Sequence, residues 1–214
     1  MYPAGNLFIP VAHGQLEAII KEPRESPPKG VALVLHPHPL GGGTMHNKVV
    51  FRAAAALNDA GLTTLRINFR GVGQSTGAHD FGNGELDDAK AGLSYLAAHY
   101  PGQAVTVCGF SFGARMGMEV GSNDERVKLL ISIGTPLDKY DFSFLEQCRK
   151  PLLFVHGEDD EFGDTHEVRS LAERLGQTIP VKFVVIPGTG HFFEGHLDEL
   201  KSAIYDWVTA QLER

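Results

Sequence analysis

The sequence predicts an α/β fold, a mostly parallel twisted sheet with helices on both faces, and three observations lead there. Short apolar runs rich in β-branched residues recur along the chain, and most are separated by segments of helical period. The runs are continuous rather than alternating, the pattern of strands covered on both sides. The chain is also long and apolar enough to bury a substantial core, with 214 residues of which 43% are hydrophobic.

Taken in order, LFIPVAHGQLEAII reads as a hairpin turning at His13 and Gly14, which places an antiparallel pair at one edge of the sheet. Parallel strands are then expected at residues 31–35, 63–67, 104–107, 129–133, 152–155 and 181–186. Helices are expected at 47–60, 84–100, 112–122, 164–175 and 194–212, with Gly61, Pro101 and Gly176 as stops. The longest linker is EPRESPPKG at 22–30, and there is no internal repeat, so residues 1–214 read as a single domain.

Charge and composition narrow the partners. A formal charge of -7 without any Lys/Arg block provides no footprint for nucleic acid or an anionic membrane surface. The opening MYPAGNLFIPVAHG lacks a charged, then apolar, leader pattern, and no stretch approaches the ~18 apolar residues of a membrane span. A cytoplasmic protein is expected. Cys108 and Cys148 are too few for a disulfide framework and lack metal-site spacing.

In an open parallel sheet, ligands bind at the carboxyl ends of the strands. Five loops there carry polar residues: HPHPLGGGTMHN, NFRGVGQSTG, GFSFG, HGEDDEFGD and PGTGHFFEG. GFSFG sits between a strand and a segment able to start a helix at once, so Ser111 occupies a tight strand-turn-helix. A side chain at either glycine would crowd that turn. The competing reading is that Ser111 merely caps the helix. A serine nucleophile needs a base, and the base needs an orienting carboxylate. His191, preceded by Gly-Thr-Gly at a strand end, is the candidate base. The acid lies among Glu158, Asp159, Asp160, Glu161 and Asp164.

The strand, G-x-S-x-G elbow, G-x-x-D loop and late G-H pair together resemble the α/β-hydrolase superfamily over nearly the whole chain. The resemblance implies that the acid is the last residue of Gly157-Glu158-Asp159-Asp160, making Asp160 the first choice and Asp159 the second. Some members carry the acid one strand earlier, where this chain has Asp138. The resemblance also implies an oxyanion hole, with one donor the backbone N–H of Phe112. The other would come from HPHPLGGG, where Pro37 and Pro39 have no N–H, which leaves His38 and Leu40 at the start of the loop. The H-G-x loop of many members aligns His38 with the donor place, and Leu40 is held in reserve. More narrowly, HPHPLGGGTMHNKVV with NFRGVGQSTG is similar to small lidless serine hydrolases that are carboxylesterase-like or related to dienelactone hydrolases. The dienelactone enzymes use a cysteine nucleophile, whereas Cys108 here lies on the strand side of Gly109 and reads as a packed residue.

No cofactor or metal is expected. His36, His38 and His46 match no familiar zinc spacing, and GGG at 41–43 lacks the lysine and serine of a phosphate loop. Arg70 and Ser75 read as structural. Residues 135–150 leave room for no lid beyond a short helix, so the site is expected to be open and flanked by Phe112, Phe162, Phe192, Phe193 and Leu40. The expected activity is cleavage of a small-molecule carboxylic ester or thioester through an acyl-enzyme on Ser111. The same triad would serve a thioesterase, lactonase or peptidase, and a non-catalytic binding protein on the same fold is the alternative of another class.

Overall fold

The computed structural model describes residues 7–24 and 27–213. The first six residues of the leader reading, and residues 25 and 26 of the 22–30 linker, therefore lie outside the described residues.

Among the described residues eight strands form one sheet: β1 (Leu7–Val11), β2 (Gly14–Lys21), β3 (Gly30–Leu35), β4 (Leu62–Ile67), β5 (Val105–Phe110), β6 (Val127–Ile133), β7 (Leu152–Gly157) and β8 (Val181–Ile186). Their spatial order is β1-β2-β4-β3-β5-β6-β7-β8. β1 pairs with β2, and β2 with β4, in antiparallel fashion, while every pair from β4 across to β8 is parallel. The helices are α1 (Lys48–Asp59), α2 (Asn83–His99), α3 (Phe112–Asn123), α4 (Thr165–Leu175) and α5 (Leu197–Leu212).

β3, β5 and β7 are buried at every residue because helices cover both faces. On one face, α1 and α5 bring Val50, Leu57, Leu200 and Ile204 against Val34, Phe110, Ile131 and Leu153. On the other, α2, α3 and α4 bring Leu93, Met118, Val168 and Leu171 against Leu33, Val107, Leu130 and Phe154. α1 and α4 start where Asn47 and Asp164 accept the backbone N–H groups of the first turn, the capping that their sequences offer.

Several boundaries differ from the sequence expectation by one to three residues, and three of them have a clear local reason. The hairpin turns at Ala12 and His13, one residue early, because Gly14 at φ +125 already pairs with Val11. β5 runs three residues further than expected because Gly109 and Phe110 continue the ladder with Ser132 and Ile133. α5 begins at Leu197 rather than at residue 194 because Phe193 and Gly195 both adopt positive φ.

The topology fixes where a ligand can bind. β3 and β5 are neighbours, yet the chain leaves β3 toward β4 and leaves β5 toward β6, in opposite directions across the sheet. This is the topological switch point of a doubly wound sheet, where diverging loops open a crevice. Leu35 pairs with Gly109, so the loops bearing His38 and Ser111 start at the same level. The connection between β6 and β7 holds only a 3-10 turn at Ser143–Gln147, and the fold has no lid. Among the described residues no helix is long and apolar enough to cross a membrane.

Candidate active site

Ser111 is the single residue between β5 and α3, with φ 57 and ψ -119. A residue with a β-carbon is held there at a cost of about 1–3 kcal/mol, so the surroundings must enforce it. Ser111 N–H donates to the Ile133 carbonyl at 2.9 Å, and its own carbonyl accepts from Ala114 and Arg115. A β-carbon at Gly109 would stand 2.1 Å from the Gly113 carbonyl oxygen, and one at Gly113 would stand 2.5 Å from the carbonyl oxygens of Leu35 and His36. Both glycines of GFSFG are therefore required by backbone packing at the elbow. The Ser111 side chain makes no capping bond to α3, contrary to the helix-cap reading. Its Oγ instead lies 2.8 Å from His191 Nε2.

His191 is buried at 2% exposure in the loop after β8. Its Nδ1 lies 2.9 Å from both carboxylate oxygens of Asp160, so Nδ1–H donates to the acid and the Nε2 lone pair faces the serine hydroxyl. The backbone N–H of His191 donates to Glu161 Oε2 at 3.1 Å, and the rings of Phe110 and Phe162 lie against the imidazole at 4.9 and 4.6 Å. Asp160 is buried and accepts the Phe162 N–H at 2.9 Å, whereas Asp159 and Asp138 are exposed. Of the acids raised by the sequence, Asp160 is thus the one whose carboxylate meets the His191 ring, while Glu161 holds only the backbone N–H.

A histidine that sequence reading overlooked stands behind the acid. His156, fully buried at the end of β7, donates from Nε2 to the Gly163 carbonyl at 2.7 Å and accepts the Thr135 N–H on Nδ1 at 3.3 Å. Its Nε2 lies 3.7 Å from Asp160 Oδ2, and burial pushes its pKa down. The signal available was the His-Gly pair ending an apolar strand. The pair reads as packing until the fold brings Gly157 against the backbone of Gly190, where a β-carbon would meet a carbonyl oxygen at 2.5 Å.

The loop after β3 is built on His36. Its Nδ1–H donates to the Pro37 carbonyl at 2.6 Å and its Nε2 accepts the Phe69 N–H at 3.0 Å, so both ring nitrogens are committed to backbone. Burial drives its pKa to about 4. His38 accepts the Leu40 N–H on Nδ1 at 3.1 Å, and the N–H groups of Gly41, Gly42 and Gly43 donate to the carbonyls of His38, Pro39 and His38. Leu40, the reserve oxyanion donor, therefore has its N–H engaged. Among the described residues the N–H groups of His38 and Phe112 make no hydrogen bond. The His38 imidazole packs against Phe112 at 5.0 Å and His79 at 4.8 Å, and its pKa is lowered, first by burial and then by His79. His79 in turn lies 2.8 Å from buried Glu85, a pair without a sequence motif to announce it.

The remaining motif residues have structural places. Arg70 grips Asp88 through Nε and Nη2, and Ser75 bridges the Glu17 N–H and the Asn68 carbonyl. Cys108 is fully buried, and burial pushes its thiol pKa far up, which suits a packed residue and not a reactive one.

Around Ser111 lies a cleft of about 460 Å³ lined by Pro37, His38, Gly41 to Gly43, Asn47, Phe112, Pro136, Lys139, Tyr140, Phe162, His191 and Phe192. Phe112, Phe162 and Phe192 flank it as expected. Phe193 does not: its positive φ turns the ring into the core beneath α5, where it is fully buried. Leu40 projects into solvent at 74% exposure, because the 3-10 turn at Pro39–Gly41 carries it away from the cleft.

Residues 32–147 match the sequence profile of the α/β hydrolase fold. The chain belongs to the α/β-hydrolase family. It is 41% identical over 190 residues to an uncharacterized protein of Rickettsia prowazekii, covering 86% of this chain and 80% of the relative. Among solved structures it is similar to an α/β serine hydrolase homologue from Coxiella burnetii, at 39% identity and TM-score 0.88 over 96% of this chain and 98% of the other. It is likewise similar to a lidless α/β serine hydrolase from Xanthomonas campestris, at 34% identity and TM-score 0.87 over 100% and 98% of the two chains.

Proposed function

We propose that this α/β-hydrolase cleaves small-molecule carboxylic esters through an acyl-enzyme on Ser111. The observation that carries the reading is the continuous relay from Ser111 Oγ to His191 Nε2 at 2.8 Å and from His191 Nδ1 to Asp160 at 2.9 Å, opening on a cleft.

In this reading His191 takes the hydroxyl proton as Ser111 Oγ attacks the acyl carbon, and Asp160 stabilises the imidazolium that forms. The carbonyl oxygen becomes an oxyanion and is received by the unengaged N–H groups of His38 and Phe112, each contributing about 3 kcal/mol to the transition state. Ser111 at the N-terminus of α3 adds the helix dipole to the same charge. His191 then gives its proton to the departing alcohol. A water enters, loses a proton to His191, attacks the acyl carbon, and returns Ser111 with a free carboxylic acid.

The open cleft of about 460 Å³, with aromatic walls and no lid, suits small and medium acyl groups. A small ester or thioester is the proposed partner, no nucleic acid or membrane is invoked, and the cytoplasm is the proposed location. Thioesters, lactones and amides would use the same machinery, and a substrate panel across those classes separates them. Ser111→Ala is expected to abolish p-nitrophenyl ester turnover while leaving the thermal midpoint within about 2 °C, since the side chain's one hydrogen bond is to His191. Activity surviving in that variant would place the nucleophile elsewhere.

A further inference from the structure

The cleft around Ser111 is apolar but for its backbone and a few side chains, and Lys139 is the one lysine, arginine, aspartate or glutamate that lines it among the described residues. We propose that Lys139 selects esters that also carry a carboxylate, whether at the far end of the acyl group or on the alcohol. The inference rests on Ser111 being the nucleophile.

The placement of Lys139 is set by the backbone. Its N–H and that of Tyr140 donate to the Pro136 carbonyl, and the N–H of Asp138 donates to the Phe162 carbonyl, which ties this turn to the loop behind His191. Gly163 packs so closely on the same turn that a β-carbon there would stand 2.2 Å from the Thr135 carbonyl oxygen. The ammonium is 6.0 Å from the centre of the Phe162 ring, and that ring is 4.6 Å from the imidazole of His191. Two successive ring contacts thus connect the positive charge to the base of the reaction.

The charge is not neutralised within the described residues. Lys139 forms no ion pair there, although Asp138 and Asp141 flank it in sequence. Asp138 is exposed, and the Asp141 carboxylate accepts the N–H and hydroxyl of Ser143. Asp160, the nearest acid to the chemistry, is buried and committed to His191. Lys139 is exposed, so a neutral chain leaves the ammonium to water and gains nothing from it, whereas a carboxylate would gain a charge-assisted hydrogen bond of modest strength. The net charge of -7 opposes anions only over distance. Screening within about 8 Å at physiological salt leaves the local ammonium to decide.

Two matched ester pairs test the proposal on the full chain. p-Nitrophenyl hemiglutarate against p-nitrophenyl valerate places the anion on the acyl side, and p-acetoxybenzoate against p-tolyl acetate places it on the alcohol. The ratio of kcat/KM for the anionic over the neutral member is expected to favour the anion in one pair, which identifies the side. That ratio should fall roughly fivefold in Lys139→Gln, recover in Lys139→Arg, and shrink as NaCl is raised. An unchanged ratio in Lys139→Gln, or no anionic preference in either pair, overturns the proposal. Calorimetric binding of the same four esters to Ser111→Ala reads recognition without turnover. Lys139-dependent binding with no hydrolysis by the wild type would sustain the recognition and refute the hydrolase reading. Turnover of all four esters with an anionic-to-neutral ratio that does not depend on Lys139 would do the reverse.

Discussion

Asp160→Asn changes one atom of the relay and exposes its logic. Oδ1 of Asp160 accepts the Phe162 N–H, so the asparagine keeps its carbonyl oxygen there and turns its NH₂ toward the Oδ2 position. His191 Nδ1 lies 2.9 Å from both positions, so the variant sets a donor against it beside one remaining acceptor that already serves the Phe162 N–H. Where Nδ1 accepts from that NH₂, the imidazole carries its proton on Nε2, which points at Ser111 Oγ and can no longer accept the hydroxyl proton. In a serine protease the same tautomer reversal lowers kcat by about 10⁴, equal to roughly 5.5 kcal/mol of barrier, and a similar fall is expected here. Asp159→Asn, at an exposed position, should alter kcat by less than about twofold. Ester hydrolysis under saturating substrate, with circular dichroism to verify folding, measures both. Folded Asp160→Asn with more than about a tenth of wild-type kcat would refute the reasoning, as would an equal loss in Asp159→Asn.

Two further predictions concern the scaffold. Buried His36 has its pKa lowered to about 4 from 6.5, so the unfolded chain binds the extra proton between those values. Its contribution to stability is complete above about pH 6.5 and is lost as pH falls toward about 4, by up to about 3 kcal/mol. Buried His156 acts in the same direction. Denaturant titrations from about pH 7 to about pH 4 should show a shallower decline in His36→Gln than in the wild type, and an equal slope would contradict the assignment. Phe81 is 85% exposed at φ 51, so Phe81→Asn, a residue that tolerates this backbone, should raise stability by about 0.5–1 kcal/mol and Tm by about 2 °C, read by calorimetry.

The architecture was legible because periodicity reports burial, and these strands are buried on both faces. The helices at 164–175 and 47–60 could be bounded to a residue because Asp164 and Asn47 cap them. The meeting of Ser111 and His191 could be anticipated because a sharp turn between strand and helix needs Gly109 and Gly113 and because chain order narrows the candidate base, whereas Asp160 was singled out from its acidic neighbours only by the resemblance to the α/β-hydrolases. What stayed hidden was set by contacts distant in sequence. His156 beside Asp160, His79 beside Glu85, and Tyr140 and Lys139 in the cleft wall carry no local signature. Phe193 was misplaced because a positive φ reverses the direction of a side chain, and nothing in GHFFEG says which phenylalanine turns inward.

The hydrolysis proposed for the cleft depends on Ser111 being a nucleophile activated by His191. Incubation of the folded protein with a fluorophosphonate, followed by peptide mass spectrometry, puts that dependence to the test. A single adduct on Ser111 is expected, and it should disappear in His191→Ala at neutral pH. Folded protein that takes no label on Ser111, or takes it on another residue, would contradict the assignment.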